Sequence, residues 1–385
     1  MRSRISLLLV AGVIAAAFAH DASAIPAFAR KYQFSCSTCH APFPRLKPYG
    51  EDFAARGFRM ERPESEPPRA SWDTGDPLLL LNRDLPLALR MDGFASLRDE
   101  SDGGNSMETP WAFKILSGGP LSPHLSYYLY FIVERGETEG LEDAYLQYNG
   151  LFGTKADLIF GQFQVSDPLF KRELRLVRSD YDIYKVRVGD VQTNLTYDRG
   201  AMMSVTGPAG VDFVATIVNG DGIPKGSFDR DNYKNFALRA AREFGALRLG
   251  GFVYAGKEKG DNGRTNETLY FGPDLAVAVR DRWQLNVQYL ERRDDDPFYR
   301  GAGGPDFETR GGFAELLYFP RGHDGHFSLT LLYSRVDSDD AAAESENVSL
   351  GFGYLLSRNV RFIAEVGRDE RGDRNTASIG LVTAF

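Results

Sequence analysis

The stretch "FSLTLLYS", residues 327–334, puts Phe327, Leu329, Leu331 and Tyr333 on one side of an extended chain and Ser328, Thr330 and Ser334 on the other. That alternation is the period of a β-strand, whose successive side chains point to opposite faces. It recurs where Trp283, Leu285, Val287 and Tyr289 interleave with Gln284, Asn286 and Gln288, and again where Val360, Phe362, Ala364 and Val366 interleave with Arg361, Ile363 and Glu365. From residue 86 to 385 the chain is largely built of such segments. Soluble sandwiches alternate too, so the connections must separate the two classes. About sixteen strands can be parsed, with links that alternate strictly between short and long, the pattern of bacterial outer-membrane barrels. The short links include 121–124, 150–155, 207–210, 242–246, 280–282 and 357–359; the long ones include 220–232, 257–266, 292–306 and 337–346. The last strand sets Ile379, Leu381, Thr383 and the terminal Phe385 on one face. The expected fold is an all-β transmembrane barrel of about sixteen antiparallel strands, preceded by a small helical or irregular segment.

Composition agrees with that fold. The 40 glycines, 18 tyrosines and 27 phenylalanines sit in a chain that is polar on average, as expected when one face of each strand meets lipid and the other meets water. The formal net charge of −8 counts against nucleic acid as a partner. Residues 1–24 read as a signal peptide, with Arg2 and Arg4, an apolar run from Ile5 to Ala19 and the small residues Ala22-Ser23-Ala24. That places the barrel in the outer membrane of a Gram-negative bacterium, in contact with outer-membrane lipid.

A barrel of this size encloses a wet lumen. The longest connection, about 165–192, is the third long loop. It carries Lys171, Arg172, Arg175, Arg178, Lys185 and Arg187, with a short helix expected over Pro168 to Val177. Two readings are open: a loop folded into the lumen, as in porins, or a solvated basic loop. Arg248, Arg361 and Glu365 face the lumen by parity, to line a pore or to grip a plug. The acidic runs Asp99, Glu100 and Asp102, Asp294 to Asp296, and Asp337, Asp339 and Asp340 fall on the outer side, as cation ligands or as solvated loops.

Residues 25–62 lack alternation but hold Phe28, Tyr32, Phe34, Phe43, Tyr49, Phe53 and Phe58, with one helix expected over Pro48 to Arg56. Residues 63–85 read as a linker. So short a segment struggles to form a core unaided. Both cysteines of the chain lie in "CSTCH", residues 36–40. Two thiols three apart with a histidine next match covalent c-type haem attachment, Cys36 and Cys39 through thioethers and His40 as proximal iron ligand. Zinc would want a second ligand pair, a redox dithiol would want a βαβ setting, and a plain disulfide is the bland alternative. For the sixth iron position Met60 is the soft ligand at hand; a turn histidine (His124, His323 or His326) or an open position are the others.

The stretch "IPAFARKYQFSCSTCHAPFPRLKPYGEDFAARGF", residues 25–58, resembles the N-terminal haem segment of outer-membrane cytochrome-porin fusions of iron-oxidising bacteria and their relatives, and "FGQFQVSDP", residues 160–168, resembles strands of phosphate-type porins. The resemblance implies a monohaem cytochrome c domain at 25–62, on the periplasmic side or inside the lumen. It also implies oxidoreductase-type electron transfer, from an extracellular donor such as Fe(II) to a periplasmic c-type cytochrome or other carrier. A diffusion porin with a haem plug or regulatory domain, and a conduit run outward to an external oxidant, stay open as alternatives.

Overall fold

The computed structural model describes residues 27–61, 75–76, 79, 86–99, 104–134, 137–223, 229, 231–301 and 306–385. The signal peptide, most of the linker, Glu100 and Asp102 lie outside the described residues. Sixteen antiparallel strands close into one barrel: β1 (Leu87–Arg98), β2 (Gly104–Pro120), β3 (Leu125–Glu134), β4 (Glu137–Tyr148), β5 (Asp157–Gln164), β6 (Tyr197–Thr206), β7 (Val211–Val218), β8 (Asn235–Phe244), β9 (Leu247–Lys259), β10 (Thr265–Val279), β11 (Trp283–Asp294), β12 (Phe307–Tyr318), β13 (Phe327–Ser338), β14 (Ser345–Ser357), β15 (Val360–Asp369) and β16 (Arg374–Ala384). Each strand pairs with its sequence neighbours. The seam is β1 on β16, with Met91 opposite Thr383 and Phe94 opposite Gly380. The terminal Phe385 extends the seam by exchanging backbone hydrogen bonds with Leu89.

Alternation does what the sequence expects of it. In β13, Ser328, Thr330 and Ser334 are buried in the lumen while Leu329, Leu331 and Tyr333 are exposed outside, and in β16 Ile379 and Leu381 point outward. Phe244, Trp283 and Tyr148 mark the outer surface near the short-turn end, where Trp283 stacks on Tyr318 at 4.1 Å. An outward apolar band with aromatic residues at its rim is the surface that a barrel in lipid requires. No described helix is long and apolar enough to cross a membrane.

Strict parity of loop length does not hold. On the long-loop side the β3–β4 link is only 135–136 and the β15–β16 link only 370–373, while on the other side 319–326 is long. A hairpin can close tightly at either end once its ladder stops, so length sorts by side only as a tendency.

The third long connection, 165–196, folds into the lumen. Tyr181, Ile183, Tyr184, Val188, Val191 and Leu195 are wholly buried. Of these, Tyr181, Ile183, Tyr184 and Leu195 form part of one apolar cluster with the wall residues Phe252, Tyr254, Tyr270, Phe313 and Leu332. Tyr181 stacks on Phe313 at 3.8 Å, and Tyr184 Oη donates to Gln288. The expected helix over Pro168 to Val177 is not there: that stretch holds one 3-10 turn, Arg172–Leu174, and the helical turn of the loop lies later, at Asp182–Lys185. Within that stretch the backbone closes only single turns, Leu169 N to Ser166 O, Leu174 N to Lys171 O and Arg175 N to Arg172 O, and the wall holds the chain from Leu176 onward. Glu365 accepts from the Arg178 and Ser179 amides and the Ser179 hydroxyl, Glu258 accepts from the Gln192 and Thr193 amides, Arg361 donates to Leu176 O, and Arg292 donates to the Val186 and Thr193 carbonyls. The wall thus satisfies backbone groups of the loop between Leu176 and Thr193. The basic residues are spent in the same way: Arg172 and Arg175 on Asp180, Arg178 on Glu108, Lys171 on Asp167. Arg361 and Glu365 therefore grip this loop.

Residues 27–61 enter the mouth at the short-turn end. Ala41 packs with Leu176, Leu317 and Phe319, Phe43 lies on the Phe94, Ile363 and Val382 cluster, and Arg45 reaches Glu315 at 3.7 Å. Asn149 donates to Ala55 O, Lys47 pairs with Asp324 at 2.7 Å, and Phe58 meets Tyr128. Gly57 makes the approach possible, since its φ is +67° and a Cβ there would stand 2.3 Å from Ser126 Oγ.

Replacing Glu365 by Ala removes the acceptor for three donors of the inward loop. We expect the loop to loosen by about 3 kcal/mol, read as higher single-channel conductance in a planar bilayer and faster proteolysis within 165–196, with the folded barrel's gel mobility unchanged.

Candidate cofactor site

The N-terminal segment has three short helices, α1 (Ala27–Tyr32), α2 (Cys36–Cys39) and α3 (Pro48–Ala55). The last matches the helix expected over Pro48 to Arg56. Helix α2 is a single turn, started by Ser35, whose hydroxyl accepts from the Ser37 amide, and stopped at His40, whose amide donates to Cys36 O at 2.8 Å. Beyond it the chain doubles back: His40 bridges Leu46, and the Lys47 amide donates to Cys39 O. Helix α3 then lies against the turn at Gly50, where a Cβ would sit 2.3 Å from Cys39 O. Only glycine allows that approach.

Tyr32, Phe53 and Phe58 form the small core of the segment, with Phe28, Phe34 and Tyr49 packed on it. Between this core and the barrel mouth is a cavity of about 270 Å³ lined by Cys36, Cys39 and His40, by Phe28, Phe34, Phe43, Leu46 and Phe53, and by Arg90, Lys114, Tyr128 and Tyr130 from the wall. The two cysteines are free thiols. Burial pushes the thiol of Cys36 up, and burial together with its neighbour Cys36 pushes Cys39 up to about 11, so both stay protonated at neutral pH. Burial pushes the His40 imidazole below its ordinary value, so the ring is neutral. Its Nδ1 sits 3.1 Å from Pro44 O and 3.3 Å from Arg45 O. A neutral ring with Nδ1–H given to a carbonyl keeps the lone pair on Nε2, the arrangement of a metal-binding histidine.

The structure thus brings Cys36, Cys39 and His40 to one cavity. Met60 packs on the aromatic core and is not among the residues lining that cavity. Nor are the turn histidines: His124 stacks on Tyr148, His323 lies against Phe319, and His326 contacts Leu355 O. The outer acidic residues are engaged locally. Asp294 pairs with Arg292, Asp337 with Arg335 and Arg371, and Asp339 and Asp340 accept backbone amides. Among the described residues no group of three or more His, Cys, Asp or Glu is placed to hold a metal. Sequence reading missed Lys114 and Tyr130. Their strands β2 and β3 were legible, and inward parity would have marked Lys114 as a cation facing the lumen.

No family model matches the chain, and no curated protein matches it by sequence. Solved structures do. An anion-selective porin from Comamonas acidovorans aligns with TM-score 0.59 and 11% identity over 78% of this chain and 99% of that one. A loop-deletion mutant of OmpT, an outer membrane protein of Vibrio cholerae, aligns with TM-score 0.56 and 13% identity over 78% and 99%. OmpF of Salmonella typhi, in complex with daunomycin, aligns with TM-score 0.54 and 12% identity over 78% and 97%. The barrel has the porin fold. At such identities the likeness is one of fold.

Replacing Gly50 by Ala should cost the N-terminal segment about 1–3 kcal/mol, because backbone of Cys39 stands in the way. Limited proteolysis should then release 27–61 faster while the barrel stays resistant.

Proposed function

We propose that this chain is an outer-membrane electron-transfer protein: a barrel carrying one covalent c-type haem in its short-turn, periplasmic mouth. The observation that carries the reading is the placing of two free thiols on one helical turn, beside a neutral histidine with Nδ1 engaged, in a single aromatic-lined cavity. The residues fit the group: Cys36 and Cys39 would form the thioethers, His40 would hold the iron by Nε2, and Phe28, Phe34, Phe43 and Phe53 would exclude water from the ring. When bound, the haem supplies one-electron exchange. His40 would position the iron, and its half-buried, neutral ring leaves Nε2 unprotonated to receive it. The donor would be extracellular, Fe(II) in the leading reading, and the acceptor a periplasmic c-type cytochrome or other carrier. Electrons from outside must cross the layer of the inward loop, filled by Tyr181, Tyr184 and Phe313. The midpoint potential decides whether flow is inward or outward. Met60 as sixth ligand would require the aromatic core to rearrange.

A second reading, a diffusion porin whose N-terminal segment plugs or regulates the channel, is the one favoured by likeness to solved porins. Against open diffusion stands the apolar cluster that fills the lumen.

One preparation separates them. Made in a host able to mature c-type cytochromes, the detergent-boiled chain should stain for haem on a gel, lose the stain in Cys36→Ser/Cys39→Ser, and, when oxidised, be reduced on mixing with Fe(II). Unstained wild-type chain, or bound haem inert to Fe(II) alongside robust solute flux in liposomes, overturns the conduit reading.

A further inference from the structure

Lys114 of β2 and Tyr130 of β3 stand diagonally on the lumen face, since Leu116 is the residue opposite Tyr130 and Ile132 the one opposite Lys114. Both line the cavity of Cys36, Cys39 and His40. Lys114 is 9% and Tyr130 2% exposed, and Lys114 Nζ lies 5.0 Å from the centre of the Tyr130 ring. The Tyr130 hydroxyl is buried with no hydrogen-bond partner. Lys114 makes no ion pair or hydrogen bond among the described residues; its ammonium sits over the Tyr130 ring, within the field of Asp92, Glu142 and Glu173. Two buried donors left open in this way are costly, and the cost disappears when an anionic acceptor joins them.

The other cations of the cavity are already engaged. Arg90 pairs with Asp92 at 2.7 Å, Lys171 with Asp167 at 3.3 Å, and Arg358 donates to Asp324 O. Asp143 of β4, which stands opposite Tyr130 in the β3–β4 ladder, and Glu173 of the inward loop also line the cavity.

We propose that Lys114 and Tyr130 form a carboxylate-binding corner and that, on the haem reading above, on which this inference rests, they take a propionate of the haem. A haem carries its vinyl groups and its propionates on opposite edges. Thioethers at Cys36 and Cys39 therefore commit the carboxylates to a wall other than α2, and β2 and β3 provide one with two unused donors. An ammonium held beside the ring system favours the less positive, reduced state of the iron, so the corner also raises the midpoint potential.

The test uses the full chain, matured with haem and purified in detergent, as wild type, Lys114→Met, Lys114→Arg and Tyr130→Phe. Haem per chain and midpoint potential are measured for each. Lys114→Met should keep its covalent haem and shift to a lower potential. Tyr130→Phe should shift in the same direction by less, and Lys114→Arg should restore the wild-type value. Haem-loaded variants with potentials identical to wild type overturn the assignment. So does a Lys114→Met spectrum with altered axial ligation, which would put the amine on iron. Tyr130→Phe removes a single oxygen, so the corner remains testable if Lys114→Met disturbs folding. A wild-type chain without covalent haem is a different failure: it removes the cofactor reading itself.

Discussion

Closure of the sheet on itself, β1 against β16, is the constraint on which everything else depends. A strand in hydrocarbon has no water to satisfy its amides and carbonyls, so each must find a neighbouring strand on both sides. An even number of strands and a closed seam follow from that requirement, and so does the division of every strand into a lipid face and a lumen face. The backbone pair between Phe385 and Leu89 completes the ladder at the last residue.

Closure with sixteen strands creates a second requirement, because the ring is too wide for its own side chains to fill. Two insertions meet it from opposite ends. The loop 165–196 packs an apolar cluster against the wall, and residues 27–61 enter from the short-turn side until Ala41 meets Leu176 of that loop. Buried charges hold both. Glu365, Glu258, Arg292 and Arg361 bind loop backbone, and Glu315 receives Arg45. Such pairs contribute little net stability once desolvation is counted, but removing one partner is expensive, so they specify a single position for the loop and the segment.

The same two insertions build the cavity. Helix α2 is only one turn long and has few stabilising contacts of its own, but the His40–Leu46 bridge, the Lys47 amide and the close approach at Gly50 tie it down. The wall then supplies what the segment lacks, the aromatic residues Tyr128, Tyr130 and Tyr145 interleaved with the charged residues Arg90, Lys114 and Asp143. A cofactor there would complete a core that fewer than fifty residues cannot make alone.

Strand periodicity at Trp283–Tyr289, at Phe327–Tyr333 and in the closing segment to Phe385 was legible in the residues themselves, because a two-residue repeat is a local property of the chain. So was helix α3, since Leu46, Tyr49 and Phe53 share a face. The helix expected over Pro168 to Val177 failed in a loop whose backbone is held from Leu176 onward by Arg361, Glu365 and Glu258, residues far away in sequence. Which way the basic loop turns, that Met60 packs on the aromatic core without lining the cavity, and that Lys114 and Tyr130 share that cavity with Cys36 and Cys39 were likewise decided only by the tertiary structure. Those facts arise from contacts that exist once the ring is closed, and no local pattern encodes them.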